Sequence, residues 1–396
     1  MIRWPPGLDA DRFLAEYWQR QPLYFSGALA PWAFPLTSEE LAGLACEAEV
    51  ESRIATGDES DGWTLRHGPF EEDDFVAAPD QGWTLLVQDV EKHLPEFRPL
   101  MDLFDFIPPW RMDDLMISFA APGGSVGPHV DAYDVFLIQG QGTRTWRLDP
   151  EPAEIAWRED SELRVLSQFS PRETVETVPG DVLYLPPGIA HHGIGAEPSI
   201  TLSIGFRAPS AGELLAAAGA LLDQQHPDLR YGDAGASRHE SDGLRISDEA
   251  SARASALLQQ VMPLGDGLLD EALGRLVTGN KPWLLAARPI EPTDPEQVAA
   301  RLGAGDRLRR AATARFPWRR RGDGTVLLFA DGQSWRLDRA AESAARALCE
   351  ARAVDRGRVA DSAADADDLF GLMTALLEQG SLEWIGEDED SGGSGT

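Results

Sequence analysis

The stretch from about residue 113 to 208 restricts the fold of this chain more than any other. It is a succession of short β-rich runs cut by glycine and proline: Leu115–Ala120, Val135–Ile138, Arg144–Leu148, Thr174–Val178, Val182–Leu185 and Ile200–Phe206. Short strands with turn signals and no interleaved helical pattern predict a sandwich or barrel rather than βαβ units. Ahead of them, residues 8–20 read as a helix, with Phe13, Leu14, Tyr17 and Trp18 at helical spacing. Thr37-Ser38-Glu39-Glu40 reads as a second helix start, capped by Thr37 or Ser38. After Pro209 the texture turns helical over Glu213–Gln225, Ser251–Met262 and Gly267–Val277. Pro282 to Pro295 carries four prolines and reads as a connection. Beyond it a hairpin, Val326–Phe329 with Ser334–Leu337 across Asp331-Gly332, sits among helical stretches and is compatible with a winged-helix module. Residues 387–396 read as a disordered acidic tail.

At 396 residues the chain is long enough for two or three domains. Its 66 acidic residues outnumber 35 basic ones, for a net charge of −31. Such a surface repels phosphate backbones, so a direct nucleic-acid binder is disfavoured. The basic residues are arginine except Lys92 and Lys281, and the acidic balance suits either a basic protein partner or a salt-rich cytoplasm. Cys46 and Cys349 are too few and too far apart for a disulfide framework or a cysteine zinc site. No apolar stretch reads as a signal peptide, and none reaches the roughly 18 residues of a membrane span. These features predict a soluble cytoplasmic protein without membrane contact.

The chemistry concentrates in two segments of the β-rich region. In Gly127-Pro-His129-Val-Asp131, strand alternation puts an imidazole and a carboxylate on one face. Sixty residues on, Gly180-Asp-Val-Leu-Tyr-Leu-Pro186-Pro-Gly188-Ile-Ala-His191 runs a strand into a turn that presents a histidine. Two histidines and one carboxylate make the facial triad of non-haem Fe(II) oxygenases, which leaves coordination positions open. His192 competes with His191 but faces the other side of a strand.

These segments resemble the two signature motifs of the cupin superfamily, with Asp131 as the metal carboxylate in the manner of JmjC-type 2-oxoglutarate oxygenases. The run Gly127 to Arg147 is similar to the bacterial ribosomal oxygenases, as are Asp113–Phe119, His67–Phe70 and Ile204–Pro209. The resemblance implies an α+β chain: a double-stranded β-helix (cupin/JmjC jelly roll) with N-terminal helices over residues 1–210. A helical dimerisation region over 211–280 and a winged-helix-like domain over 281–386 would follow, ahead of the acidic tail at 387–396. It implies His129, Asp131 and His191 as Fe(II) ligands and Arg144 as the grip on the distal carboxylate of 2-oxoglutarate. Arg147 in the same run is its rival, and position in the family motif chooses Arg144. Ser118 matches a family serine at the cosubstrate.

The implied activity is Fe(II)- and 2-oxoglutarate-dependent hydroxylation, with O2 as oxidant, of an arginine in a large-subunit ribosomal protein. The enzyme is expected as a homodimer. Asp114, Tyr133 and Asp134 are substrate candidates because they flank the metal strand and suit a cationic side chain, although Asp134 also fits a local hydrogen-bonding role. The rival readings are the same oxygenase acting on a protein histidine, and a non-catalytic metal-binding cupin that serves as an interaction module.

Overall fold

The structure is a computed structural model that describes residues 2–29, 34–60, 62–234, 246–281, 284, 285, 288, 292–350, 353–360 and 366–385. The chain forms two compact units that divide at the Ala208–Pro209 bond. The expected tail and half of the proline-rich connection lie outside the described residues.

The first unit holds twelve described strands: β1 Leu23–Phe25, β2 Ser52–Asp58, β3 Gly62–His67, β4 Trp83–Val87, β5 Met112–Ala120, β6 His129–Val130, β7 Asp134–Gln141, β8 Arg144–Asp149, β9 Glu173–Thr177, β10 Val182–Leu185, β11 Ala190–Gly195 and β12 Ser199–Phe206. They form an eight-stranded antiparallel sheet in the order β1-β10-β7-β12-β5-β4-β2-β3 and a four-stranded sheet in the order β6-β11-β8-β9. All six expected strands are present, and β1 to β4 add to the larger sheet. The sequence of β2, Ser-Arg-Ile-Ala-Thr-Gly-Asp, alternates poorly, so its pairing with β3 and β4 is decided by neighbours rather than by pattern.

Strand alternation sorts the larger sheet into two cores. On β7 and β10, Phe136, Ile138, Val182 and Tyr184 face one way, into a cluster with Phe13, Phe25, Phe104 and Phe206. Val135, Leu137, Leu183 and Leu185 face the other way, against Trp146 and Leu148 of the smaller sheet. β10 is an unbroken apolar run buried at every position, as a sheet covered on both faces favours, while β12 is equally buried but alternates apolar residues with small polar ones. The N-terminal helix Ala10–Glu16 helps to cover the outer face by inserting Phe13, 4.9 Å from the Tyr184 ring. It is shorter than the expected 8–20, because the chain leaves helical geometry at Tyr17 and Gln19 takes a left-handed conformation at φ 59°. The second helix, Ser38–Leu44, is capped by Thr37 in a reciprocal pair with Glu40.

The second unit contains helices Ala211–Gln225, Asp248–Gln259 and Asp266–Thr278, then Pro295–Ala304, Glu342–Glu350 and Ala366–Glu378. Its strands are β13 Leu308–Arg310, β14 Trp318–Arg320, β15 Val326–Ala330, β16 Gln333–Leu337 and β17 Leu382–Trp384. The expected hairpin is β15–β16, turned by Asp331 and Gly332 at φ 48° and 75°, the two positive values that a tight primed turn requires. Val298, Leu302, Phe316, Leu328, Leu348 and Leu376 pack as its core.

Candidate metal centre

β6 and β11 pair with His129 directly opposite His191, so the imidazoles stand side by side with ring centroids 4.2 Å apart. His129 Nδ1 lies 2.9 Å from the Gly127 carbonyl, and His191 Nδ1 lies 3.0 Å from the Ile189 carbonyl. A carbonyl only accepts, so each Nδ1 carries the hydrogen and donates it, and each Nε2 presents a lone pair. Both Nε2 atoms face Asp131, whose Oδ1 is 3.9 Å from His129 Nε2 and whose Oδ2 is 3.6 Å from His191 Nε2, so the three sets of lone pairs converge on one point. Ligand atoms of the three residues lie within 4.8 Å of one another, the one such cluster found among the described residues.

Local sequence explains the arrangement. Pro186-Pro187-Gly188 ends β10, and Gly188 at φ 87° makes the turn that a side chain would strain. Its N–H donates to the Asp131 carbonyl at 2.9 Å, tying the turn before His191 to the segment that follows β6 and carries Asp131. Burial, aided by the adjacent His129, drives the His191 imidazole down to about 4. It is therefore neutral near pH 7 and ready to ligate without first losing a proton. Two imidazoles with fixed tautomers and one carboxylate suit a divalent transition metal with open positions. His192 points to the opposite face, between the rings of Trp63 and Phe169, each 6.1 Å away.

β8 carries the second half of the site. Arg144, Trp146 and Leu148 alternate inward, and in the pairing with β11 they stand opposite Gly195, Gly193 and His191. Arg144 therefore lies four residues, roughly 13 Å of strand, from the rung of the metal cluster. It is buried, and one Nη1 hydrogen goes to Ser118 Oγ at 3.1 Å. Nε and Nη2 are buried without a hydrogen-bond partner, and no acidic ion-pair partner of Arg144 is present among the described residues. Those two groups form one edge of the guanidinium fork, the edge that binds a carboxylate bidentately. Arg147, three residues on, has the opposite phase: it is half-buried and sits 3.7 Å from Glu59. Strand phase thus separates the two arginines, which the sequence reading left to motif position.

A polar network that sequence reasoning missed surrounds Arg144. Gln139 Oε1 accepts the hydroxyls of Thr177 at 3.1 Å and Thr201 at 3.0 Å, while its Nε2 donates to the carbonyls of Gln141 and Ile200. Thr201 pairs with both Ser118 and Gln139 across the large sheet, and Thr177 pairs with Arg144 across the small one. Polar residues inside otherwise apolar strands were the available signal.

The substrate candidates divide. Asp114 lies on the same face of β5 as Ser118, accepts from Gln88 Nε2 at 2.5 Å, and comes beside Tyr133 at Gly205. Tyr133 is 43% exposed, and burial together with Asp131 and Asp114 raises its phenol pKa. Asp134 is fully buried on the other side, accepting from Tyr184 Oη at 2.6 Å and Gln19 Nε2 at 3.0 Å, with Arg111 Nη2 at 3.4 Å. That corrects the expectation of a substrate contact there: strand phase turns Asp134 into the outer core, where three donors compensate its charge.

Comparison with known proteins agrees with this geometry. The JmjC domain family matches residues 99–214, and the ROXA-like winged helix family matches residues 256–383. The chain is 41% identical over 217 residues to the ribosomal protein uL16 3-hydroxylase of Escherichia coli strain K12, spanning 54% of this chain and 55% of that protein. It is 31% identical over 307 residues to a probable ribosomal oxygenase of Haemophilus influenzae, covering 75% of each. A solved structure of YcfD, a ribosomal oxygenase from E. coli, in complex with cobalt and 2-oxoglutarate superposes with a TM-score of 0.76 at 29% identity, covering 96% of this chain and 99% of that one. The chain belongs to the ribosomal oxygenase family, with a JmjC-type cupin unit and a ROXA-like winged helix.

Proposed function

We propose that this protein is an Fe(II)- and 2-oxoglutarate-dependent hydroxylase of an arginine side chain in a large-subunit ribosomal protein. The observation that carries the reading is the buried Arg144 fork, open along one edge and set on the same interior face as the His129, Asp131 and His191 cluster. A cation buried without an anion costs several kcal/mol, and a dicarboxylate that reaches from the metal to this fork would supply the anion. In this reading His129, Asp131 and His191 hold Fe(II), Arg144 and Ser118 hold the distal carboxylate, and O2 is the oxidant. When bound, Fe(II) supplies oxygen activation coupled to oxidative decarboxylation of 2-oxoglutarate, which delivers one oxygen atom to an unactivated C–H bond.

The chain's own residues bind, orient and exclude water. The Nδ1–carbonyl bonds fix both imidazoles toward the metal, so the ligand set is preorganised. Leu137, Leu183 and Leu185 line the interior between the sheets with apolar surface that disfavours water. Next to each other at Gly205, Asp114 and Tyr133 offer a carboxylate and an aromatic face to a guanidinium. The E. coli relative acts on ribosomal protein uL16, and a basic ribosomal protein suits a chain of net charge −31. The reading includes a cytoplasmic homodimer built through the helical region over 211–280, with the winged-helix-like domain over 281–386.

The test is Fe(II)-dependent turnover of 2-oxoglutarate to succinate with a peptide from the organism's own uL16, scored by mass spectrometry for one added oxygen. Oxygen on arginine, lost in His129→Ala and Arg144→Ala, supports the reading. Oxygen on histidine would move the assignment to a histidine hydroxylase. Neither product, with metal bound, would leave a non-catalytic binding module.

A further inference from the structure

Buried N–H groups on the interior face of β8 extend beyond Arg144. Trp146, two residues on, is 5% exposed, and its indole Nε1–H is buried without a partner. Unsatisfied donors of this kind are rare, because each forfeits its hydrogen bonds to water with nothing in return. The indole stands between the two halves of the site. Its rung, Trp146 opposite Gly193, separates the rung of Arg144 from the rung of His191. The guanidinium carbon of Arg144 lies 5.8 Å from the ring centroid on one side, and the His191 ring lies 6.2 Å away on the other.

The placement is built rather than incidental. A Cβ on Gly193 would come within 2.5 Å of Trp146 Cζ3, so the indole lies against a strand position that only glycine leaves open. A phenylalanine would fill the apolar space among Leu137, Leu148 and Leu183 without an orphaned donor. What a tryptophan adds at this position is the N–H.

We infer that Trp146 is a cosubstrate-binding residue whose indole N–H donates to a carboxylate oxygen of the 2-oxo diacid held between Arg144 and the metal. The inference rests on the proposed role of Arg144. With Arg144 Nε and Nη2 it gives three donors on one strand face, and two carboxylate oxygens have lone pairs enough for all three. The ligand then removes three unsatisfied donors from the interior at once.

The experiment uses the full chain loaded with cobalt(II), with 2-oxoglutarate binding followed by calorimetry and by the thermal shift it produces. Trp146→Phe keeps an aromatic ring against Gly193 and deletes the N–H. Losing one charge-assisted hydrogen bond predicts 2-oxoglutarate binding weaker by roughly 10- to 100-fold, with cobalt affinity unchanged. In turnover the same variant raises KM for 2-oxoglutarate more than it lowers kcat. Arg144→Met is measured alongside. If Arg144→Met loses 2-oxoglutarate binding and Trp146→Phe retains wild-type affinity, the indole only packs and the inference is overturned. If neither variant weakens binding, the reading of Arg144 falls as well. A Trp146→Phe protein that loses cobalt binding too would overturn the inference by showing a structural role.

Discussion

Replacing Arg144 by methionine should make the metal-free, ligand-free protein more stable while it destroys cosubstrate binding. Burial alone pushes the Arg144 guanidinium down to about 10, with no compensating charge. At ~1.4 kcal/mol per pH unit, the drop from the ordinary arginine range represents a cost of about 3 kcal/mol for keeping the group charged inside. The group is protonated in both folded and unfolded chains at neutral pH, so the cost is present in full there and is relieved only above about pH 10. Methionine fills a similar volume and carries no charge, and the Ser118 hydroxyl keeps its bond to the Thr201 carbonyl at 3.4 Å. A gain of about 1–3 kcal/mol is expected, seen as several degrees in Tm at roughly 2–4 °C per kcal/mol for a unit of this size. The assay is thermal unfolding of the apoprotein in a carboxylate-free buffer, with and without added cobalt and 2-oxoglutarate. Wild type should gain stability from the ligand pair, and Arg144→Met should gain from cobalt alone. An apo Arg144→Met protein that melts below wild type would refute the argument, because the charge would then be compensated in the ligand-free fold.

Removing any of His129, Asp131 or His191 by alanine should abolish both succinate production and stoichiometric metal, as measured by elemental analysis, while the circular dichroism of the fold is kept. Gly193→Ala drives a methyl into the Trp146 ring, and an overpacking cost of about 1–3 kcal/mol should appear in the denaturant midpoint. Tyr184→Phe strips the 2.6 Å hydrogen bond from buried Asp134, which should cost about 1–3 kcal/mol in the same assay and leave kcat near wild type. Burial holds His191 and His192 down to about 4, so their folded forms refuse protons that the unfolded chain accepts below about 6.5. Apoprotein stability should therefore be full above that value and fall as the pH drops toward 4, and His192→Phe should flatten part of the slope. Equal urea midpoints for wild type at pH 7 and pH 5 would contradict it.

β5, β7, β8, β9, β10 and β12 were legible because they are buried on both faces or alternate cleanly, which local composition records, whereas β6 and β11, which carry His129 and His191, are short or glycine-containing pieces set by pairing with each other and with β8. The candidate triad was legible as two motif segments: His129-x-Asp131 and the Pro-Gly turn that leads into the strand carrying His191. β2, β3 and β4 were not legible, since β4 is fixed by the edge of β5, β2 by β4 and β3 by β2, rather than by patterns of their own. Asp134 shows the limit on single residues. Its sequence position beside the metal strand suited a substrate contact or a local hydrogen bond alike, and only the pairing of β7 with β10 turned it toward Tyr184.

The sequence by itself determined the β-rich character of the first unit and the two short segments that hold the candidate metal cluster, while motif resemblance singled out His129, Asp131 and His191 within them. The first two follow from strand periodicity and turn chemistry, which act over a few residues. Tertiary structure alone decided that Ser118, Thr201, Gln139 and Thr177 gather around Arg144, and that Trp146 stands between that group and the histidines. Their spacing in the chain, from 118 to 201, carries no information about proximity. The register of antiparallel strands drawn from four segments brings them together, and register is fixed by how whole sheets bury their apolar faces.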